Sequence, residues 1–178
     1  MKVPYININT TEVKEINEKL KKLYEEYASR FDEYAISTQG GSQILTYYTY
    51  TSNNILSLVV TYGHQTTDLL YPEYLIYNFD LSNGNLLDYN TFLNKLNCTK
   101  EDASLFAEKK INDYIVANIP MEHQSKTSSI DKFTEEVNNN KLLYFIDNNG
   151  NINYIATIYI EAGRGYNHQI ITIDKNNY

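Results

Sequence analysis

Residues Tyr77 to Leu87 read YNFDLSNGNLL, and the fold turns on this stretch. A strand-like run from Tyr74 to Leu81 meets Ser82-Asn83-Gly84-Asn85, and the chain comes back through Leu86-Leu87 toward a short helical segment. Asn83-Gly84 is the dipeptide that suits a type I′ turn, in which both central residues take positive φ. The expectation is a tight hairpin centred on Asn83 and Gly84, set between helices.

Toward the N-terminus, Tyr5, Ile6, Asn7, Ile8 and Asn9 alternate and read as a short edge strand over residues 4–9. Asn9 or Thr10 stands at a helix N-cap, with Glu12 near the positive end of the dipole. Val13, Ile16, Leu20, Leu23, Tyr27 and Phe31 recur at spacings of three and four, the apolar stripe of a long helix. Lys and Glu fill the positions between them and form a solvated face. After Gly40-Gly41, Ile44 to Thr51 and Ile55 to Tyr62 read as strands joined at Ser52-Asn53-Asn54. Leu56, Leu58, Val60 and Tyr62 fall on one face of the second strand, while Ser57, Val59 and Thr61 make the other face mixed.

Toward the C-terminus, Asp88 to Leu96 reads as a short helix, and Thr99 with Asp102 forms a capping box that opens a helix to about Asn118. Ala103, Ala107, Ile111, Tyr114 and Ile115 make its apolar stripe, and Pro120 ends it. Ser125 to Ser129 reads as loop and Ile130 to Val137 as a further helix. Leu142 to Asp147 and Ile152 to Ile160 form a second hairpin around Asn148-Asn149-Gly150, and Ile170 to Ile173 is the last strand. Helices and strands are segregated, so the fold class is α+β: an antiparallel sheet with a long N-terminal helix on one face, and further helices between two hairpin regions. A chain of 178 residues fits one domain, 1–178, with halves of about 5–96 and 99–178 sharing a core.

Composition narrows function. A net charge of -7 opposes nucleic-acid binding, which needs a basic face, and suits a basic protein or a neutral ligand. No apolar run approaches the roughly 20 residues of a membrane span, and no signal-peptide h-region follows Met1. Eighteen Tyr without a Trp agrees with an AT-rich coding sequence and also with a tyrosine contact surface. Cys98 is the sole cysteine, so an intrachain disulfide and a cysteine metal cluster are both excluded.

Residue constellations that carry chemistry are sparse. His64, His123 and His168 lack metal-ligand spacing. Ser42 and Cys98 lie outside any nucleophile-elbow context; Cys98 stands at a helix start, where the dipole lowers a thiol pKa, but reads first as a half-buried inert cysteine. Asp68, Glu73 and Asp80 offer carboxylate pairs of the glycosidase kind, with nothing to set their separation. Gly163-Arg164-Gly165 lacks both the Lys of a phosphate loop and the third glycine of a dinucleotide site, and reads as a bulge or wide turn. Two segments after strands, Tyr62 to Tyr71 and Arg164 to His168, carry interface-forming residue types. If they converge, Tyr62, His64, Tyr71, Arg164, Tyr166 and His168 form an aromatic binding patch.

The segments TEVKEINEKLKKLYEEY, SNNILSLVVTYG, YNFDLSNGNLLDYNTFL and LYFIDNNGNINYIATIYIEAGRGY, in this order, resemble Gram-positive extracytoplasmic domains. Those domains belong to RsiV-like lysozyme-sensing anti-sigma factors and to the N-terminus of PdaC-type peptidoglycan deacetylases. The resemblance implies a cell-envelope domain, anchored through a membrane helix or lipoprotein cysteine in a parent protein, with lysozyme as a protein ligand. Many relatives carry a Gly-Gly-Ala-His loop where this chain has Gly63-His64-Gln65-Thr66-Thr67-Asp68, keeping one glycine and one histidine. The expectation is a non-catalytic binding or sensor domain for a lysozyme-like protein or peptidoglycan, without metal or cofactor. A cell-wall hydrolase or esterase and a cytosolic interaction protein are the alternatives.

Overall fold

The computed structural model describes residues 3–36, 42–65, 70–160 and 165–177. It is α+β, with α1 (Thr11–Ile36), β1 (Ser42–Ser52), β2 (Ile55–Gln65), β3 (Leu70–Asp80), α2 (Tyr89–Lys95), α3 (Lys100–Asn118), α4 (Lys126–Asn138), β4 (Tyr144–Ile146), β5 (Ile152–Tyr159) and β6 (Tyr166–Ile173). The strands form two antiparallel three-stranded sheets, ordered β1-β2-β3 and β4-β5-β6.

Thr10 caps α1, its Oγ1 accepting the Val13 amide at 3.2 Å. Val13, Ile16 and Leu20 are buried against Leu58, Val60 and Phe79 of the first sheet, so the helix covers the apolar face that alternation marks out in β2. Tyr24, absent from the sequence-derived stripe, is buried as well, and Tyr27 extends it. The side chain of Phe31 lies outside the described residues. Residues 4–9 form no regular element and pair with no described strand, contrary to expectation. Their partner is a side chain: Asn17 accepts from the Ile6 amide at 2.9 Å and donates to the Ile6 carbonyl at 3.0 Å, standing in for a neighbouring strand.

The hairpin expected at Ser52-Asn53-Asn54 forms, whereas the tight turn expected at Asn83-Gly84 does not. Asn53 and Asn54, at φ 48° and 59°, are the two positive-φ residues of the β1–β2 hairpin. At 80–85 only Gly84 takes positive φ (77°), and the loop is wider, with the Asp80 amide donating to the Asn85 carbonyl at 2.9 Å. The cause is Asp80, whose carboxylate accepts both the amide (2.9 Å) and the hydroxyl of Ser82 and so shapes the turn from a side chain. The returning chain makes a single bridge, Phe79 to Leu86. Asp147 repeats the device before Gly150, accepting the amides of Asn149 at 2.8 Å and Asn151 at 3.0 Å.

Thr99 caps α3 as expected, the Asp102 amide donating to Thr99 Oγ1 at 3.1 Å, and the Asp102 carboxylate accepts the Thr99 hydroxyl at 2.7 Å. The expected loop at 125–129 is instead the first turn of α4, where Ser129 Oγ donates to the Ser125 carbonyl and accepts the Tyr159 amide. Strand β6 starts at Tyr166, earlier than the expected Ile170. Ala103, Ala107, Ile111 and Ile115 of α3 pack with Phe133 of α4 and with Tyr154, Ala156, Ile158, Ile171 and Ile173 of the second sheet. Inside this layer the Tyr89 and Tyr154 hydroxyls hydrogen-bond at 2.8 Å.

The mixed face of β2 meets the second sheet. Val59 packs with Phe145 and Ile155, and Tyr50 stacks on Phe145 at 5.2 Å between ring centroids. Ser57, fully buried, donates to Asn78 Oδ1 and accepts the Ile146 amide at 3.1 Å. Asn78 Nδ2 donates to the Tyr144 carbonyl at 2.9 Å. Two polar side chains of the first sheet thereby satisfy the backbone of β4 where it runs against them. Among the described residues, no helix is long and apolar enough to cross a membrane.

Candidate functional site

Gly165, at φ 83°, delivers the chain into β6, and its carbonyl accepts the Ile160 amide at 3.0 Å. From there alternation divides the strand. Ile171 and Ile173 are buried in the helical layer, while Tyr166, His168, Ile170 and Thr172 take the opposite face. On that face Tyr166 is 60% exposed and Ile170 57%.

His168 holds this face to the first sheet. Its ring meets Tyr74 of β3 edge-on at 5.9 Å and Tyr166 at 5.5 Å, and Tyr166 meets Tyr159 at 6.0 Å. Thr157 Oγ1 lies 3.5 Å from His168 Nδ1, and burial lowers the imidazole pKa from its ordinary value. Four rings, Tyr74-His168-Tyr166-Tyr159, form a continuous aromatic row in which the Tyr166 ring stands out into solvent. Such a row offers rigid contact area at small side-chain entropy cost.

Of the residues expected to form a patch, Tyr166 and His168 come together. Tyr62 does not join them. It pairs with Glu73, one residue from Tyr74, and so lies on the opposite, helix-covered face of the first sheet. There it meets Tyr27 edge-on at 6.0 Å, and burial followed by a hydrogen bond to the Glu73 carboxylate pushes its hydroxyl up to about 12. His64 and Tyr71 are partners in the β2–β3 ladder; their side chains lie outside the described residues. Arg164 also lies outside them.

Sequence reading missed Tyr74, Tyr159 and Ile170. The signal was parity: a strand begun at Tyr166 places that residue opposite Tyr159, with Ile170 two residues beyond His168 on the same face. Asn167 and Gln169 interrupt apolar alternation, which makes the segment look like a loop.

Cys98 is buried, and desolvation, with Asp102 next, pushes its thiol up to about 11, as expected of an inert cysteine and opposite to the shift a helix dipole would give. Glu73 and Asp80 are seven residues apart on one strand, roughly 23 Å at the usual rise, on opposite faces. Hydrogen bonds from Ser82, with Lys95 beyond them, hold the Asp80 carboxyl down to about 2. Asp68 lies outside the described residues. Among the described residues, no group of three or more His, Cys, Asp or Glu is placed to hold a metal ion.

No family model matches this chain, and no curated protein or solved structure matches it either.

Proposed function

We propose that this chain is a non-catalytic, extracytoplasmic binding domain that recognises a basic protein of the lysozyme kind. The observation that carries the reading is the row from Tyr74 to Tyr166, flanked on the same face by exposed Ile170 beyond His168, on a strand braced by two sheets. Exposed aromatic anchors on a rigid element are what protein recognition uses. The net charge of -7 adds long-range attraction for a cationic partner. The resemblance to anti-sigma factor and deacetylase domains of the cell envelope supports both the location and the choice of partner.

The test is retention on immobilised lysozyme at about 0.1 M and about 1 M salt, between which the screening length falls from about 10 to 3 Å. Wild type is expected to bind at low salt and weaken at high salt. Tyr166→Ala is expected to lose about 2 kcal/mol, roughly thirtyfold in Kd. Equal retention of wild type and variant, or none of either, removes this surface or this partner from consideration.

A further inference from the structure

The hydrogen-bond register of the second sheet assigns its outer edge residue by residue. The Ile155 amide donates to Leu143, so odd-numbered residues of β5 bond toward β4, and the Ile160 amide donates to Gly165, so even-numbered ones bond toward β6. Ile158, Ala156, Tyr154 and Ile152 are paired with Asn167, Gln169, Ile171 and Ile173. The amides and carbonyls of Tyr166, His168, Ile170 and Thr172 therefore point away from β5. No strand lies beyond β6 among the described residues.

The two edges of this sheet are treated differently. On β4 the outward Tyr144 carbonyl and Ile146 amide are met by Asn78 and Ser57. On β6 no described side chain answers the outward groups. Exposed edges are usually blunted by Lys, Pro, a bulge or shortness. The eight residues of β6, YNHQIITI, hold no Lys, Arg, Asp, Glu or Pro.

We propose that β6 receives an extended segment of a protein partner as an added strand, the segment being cationic and rich in β-branched residues. This rests on the reading of the chain as a protein-binding domain. Alternating outward N–H and C=O groups along a strand are matched by another extended polypeptide backbone. Side chains of the added strand that share the face of Tyr166 and Ile170 gain cross-strand contact with them, which favours β-branched types. With 22 acidic against 15 basic residues, this chain attracts a cationic segment. A second copy is the weaker occupant, since it brings the same net charge of -7.

The experiment uses the full chain and two probes: lysozyme, and a capped synthetic peptide of sequence Lys-Thr-Val-Thr-Val-Thr-Val-Lys. A form of the peptide N-methylated at alternate residues is the control. Amide hydrogen exchange read by NMR is expected to be fast at Tyr166, His168, Ile170 and Thr172 in the free protein and to slow with peptide. The N-methylated peptide is expected to bind roughly tenfold more weakly or worse. Ile170→Pro removes one outward N–H without touching the β5 ladder and is expected to weaken binding similarly; Ile170→Lys, which keeps the backbone, tests the same edge by repelling the cationic peptide. Lysozyme retained without slowing of the four amides overturns strand addition and leaves the binding reading standing. Peptide bound with slowing, and lysozyme not retained, removes lysozyme and keeps the edge. Absence of saturable peptide binding overturns the proposal, as does concentration-dependent dimerisation of the chain alone that slows the same four amides.

Discussion

Replacing Ser57 by Ala tests how the two sheets are joined. The hydroxyl is fully buried, donates to Asn78 Oδ1 and accepts the Ile146 amide. Its removal leaves one amide and one side-chain carbonyl without their partner, in a place that water does not reach. A buried polar group left unsatisfied costs about 1–3 kcal/mol. Two such groups, eased by some relaxation, give an expected loss of about 3 kcal/mol, whereas removing a single oxygen changes packing little. For a chain of this size that lowers Tm by roughly 6–12 °C. Urea denaturation followed by circular dichroism measures the first quantity and a thermal scan the second. Ser29→Ala is the control, since Ser29 is exposed and its hydroxyl only donates to the Glu26 carbonyl. A Ser57→Ala loss under about 1 kcal/mol, no larger than the control, would refute the claim that these side chains seal β4. Pairing Ser57→Ala with Asn78→Ala should show non-additivity, because both act on one network.

Gly84→Ala should destabilise by about 1–3 kcal/mol by denaturant titration, since the residue sits at φ +77° and its new Cβ would meet Ile8 Cγ2 at 2.5 Å. Gly150→Ala, at φ +89° with no neighbour closer than 3.4 Å, should lose less. Cys98, its thiol pushed up to about 11, should resist a disulfide reagent near neutral pH in the folded protein and react promptly in urea. Burial lowers the pKa of His168 in the folded state, so the unfolded chain binds its proton more readily. The corresponding stability is complete above the ordinary imidazole value of about 6.5 and is lost as pH falls through the lower folded value. His168→Gln should flatten that part of the pH–stability curve.

Elements whose causes are local were legible in the sequence. Thr99 and Asp102 start α3 through their own side chains, and Val13, Ile16 and Leu20 declare a buried stripe by spacing alone. Asn83-Gly84 misled because Asp80, further back, sets the turn, and a dipeptide rule does not look that far. Asn17 holding Ile6 is a contact across eleven residues that no periodicity encodes. The candidate site was half legible for a related reason. Tyr166 and His168 stood out by residue type, but Tyr74 joins them through the packing of one sheet on another. Tyr62 was drawn to them by closeness in sequence to His64, although its parity in β2 turns it toward α1.

Besides burying Ile6 against the first sheet, the N-terminal segment is fastened to α1 through Asn17 and to the Asp80 turn through Ile8, which lies against Gly84. Mechanically, this makes it a yoke. A pull applied near Val3 reaches the first sheet through the 80–85 turn as well as through the helix, so tension is shared before it arrives at the Thr10 cap. Cutting either fastening would convert a load borne by a helix and a sheet together into one that peels α1 from its N-terminal end.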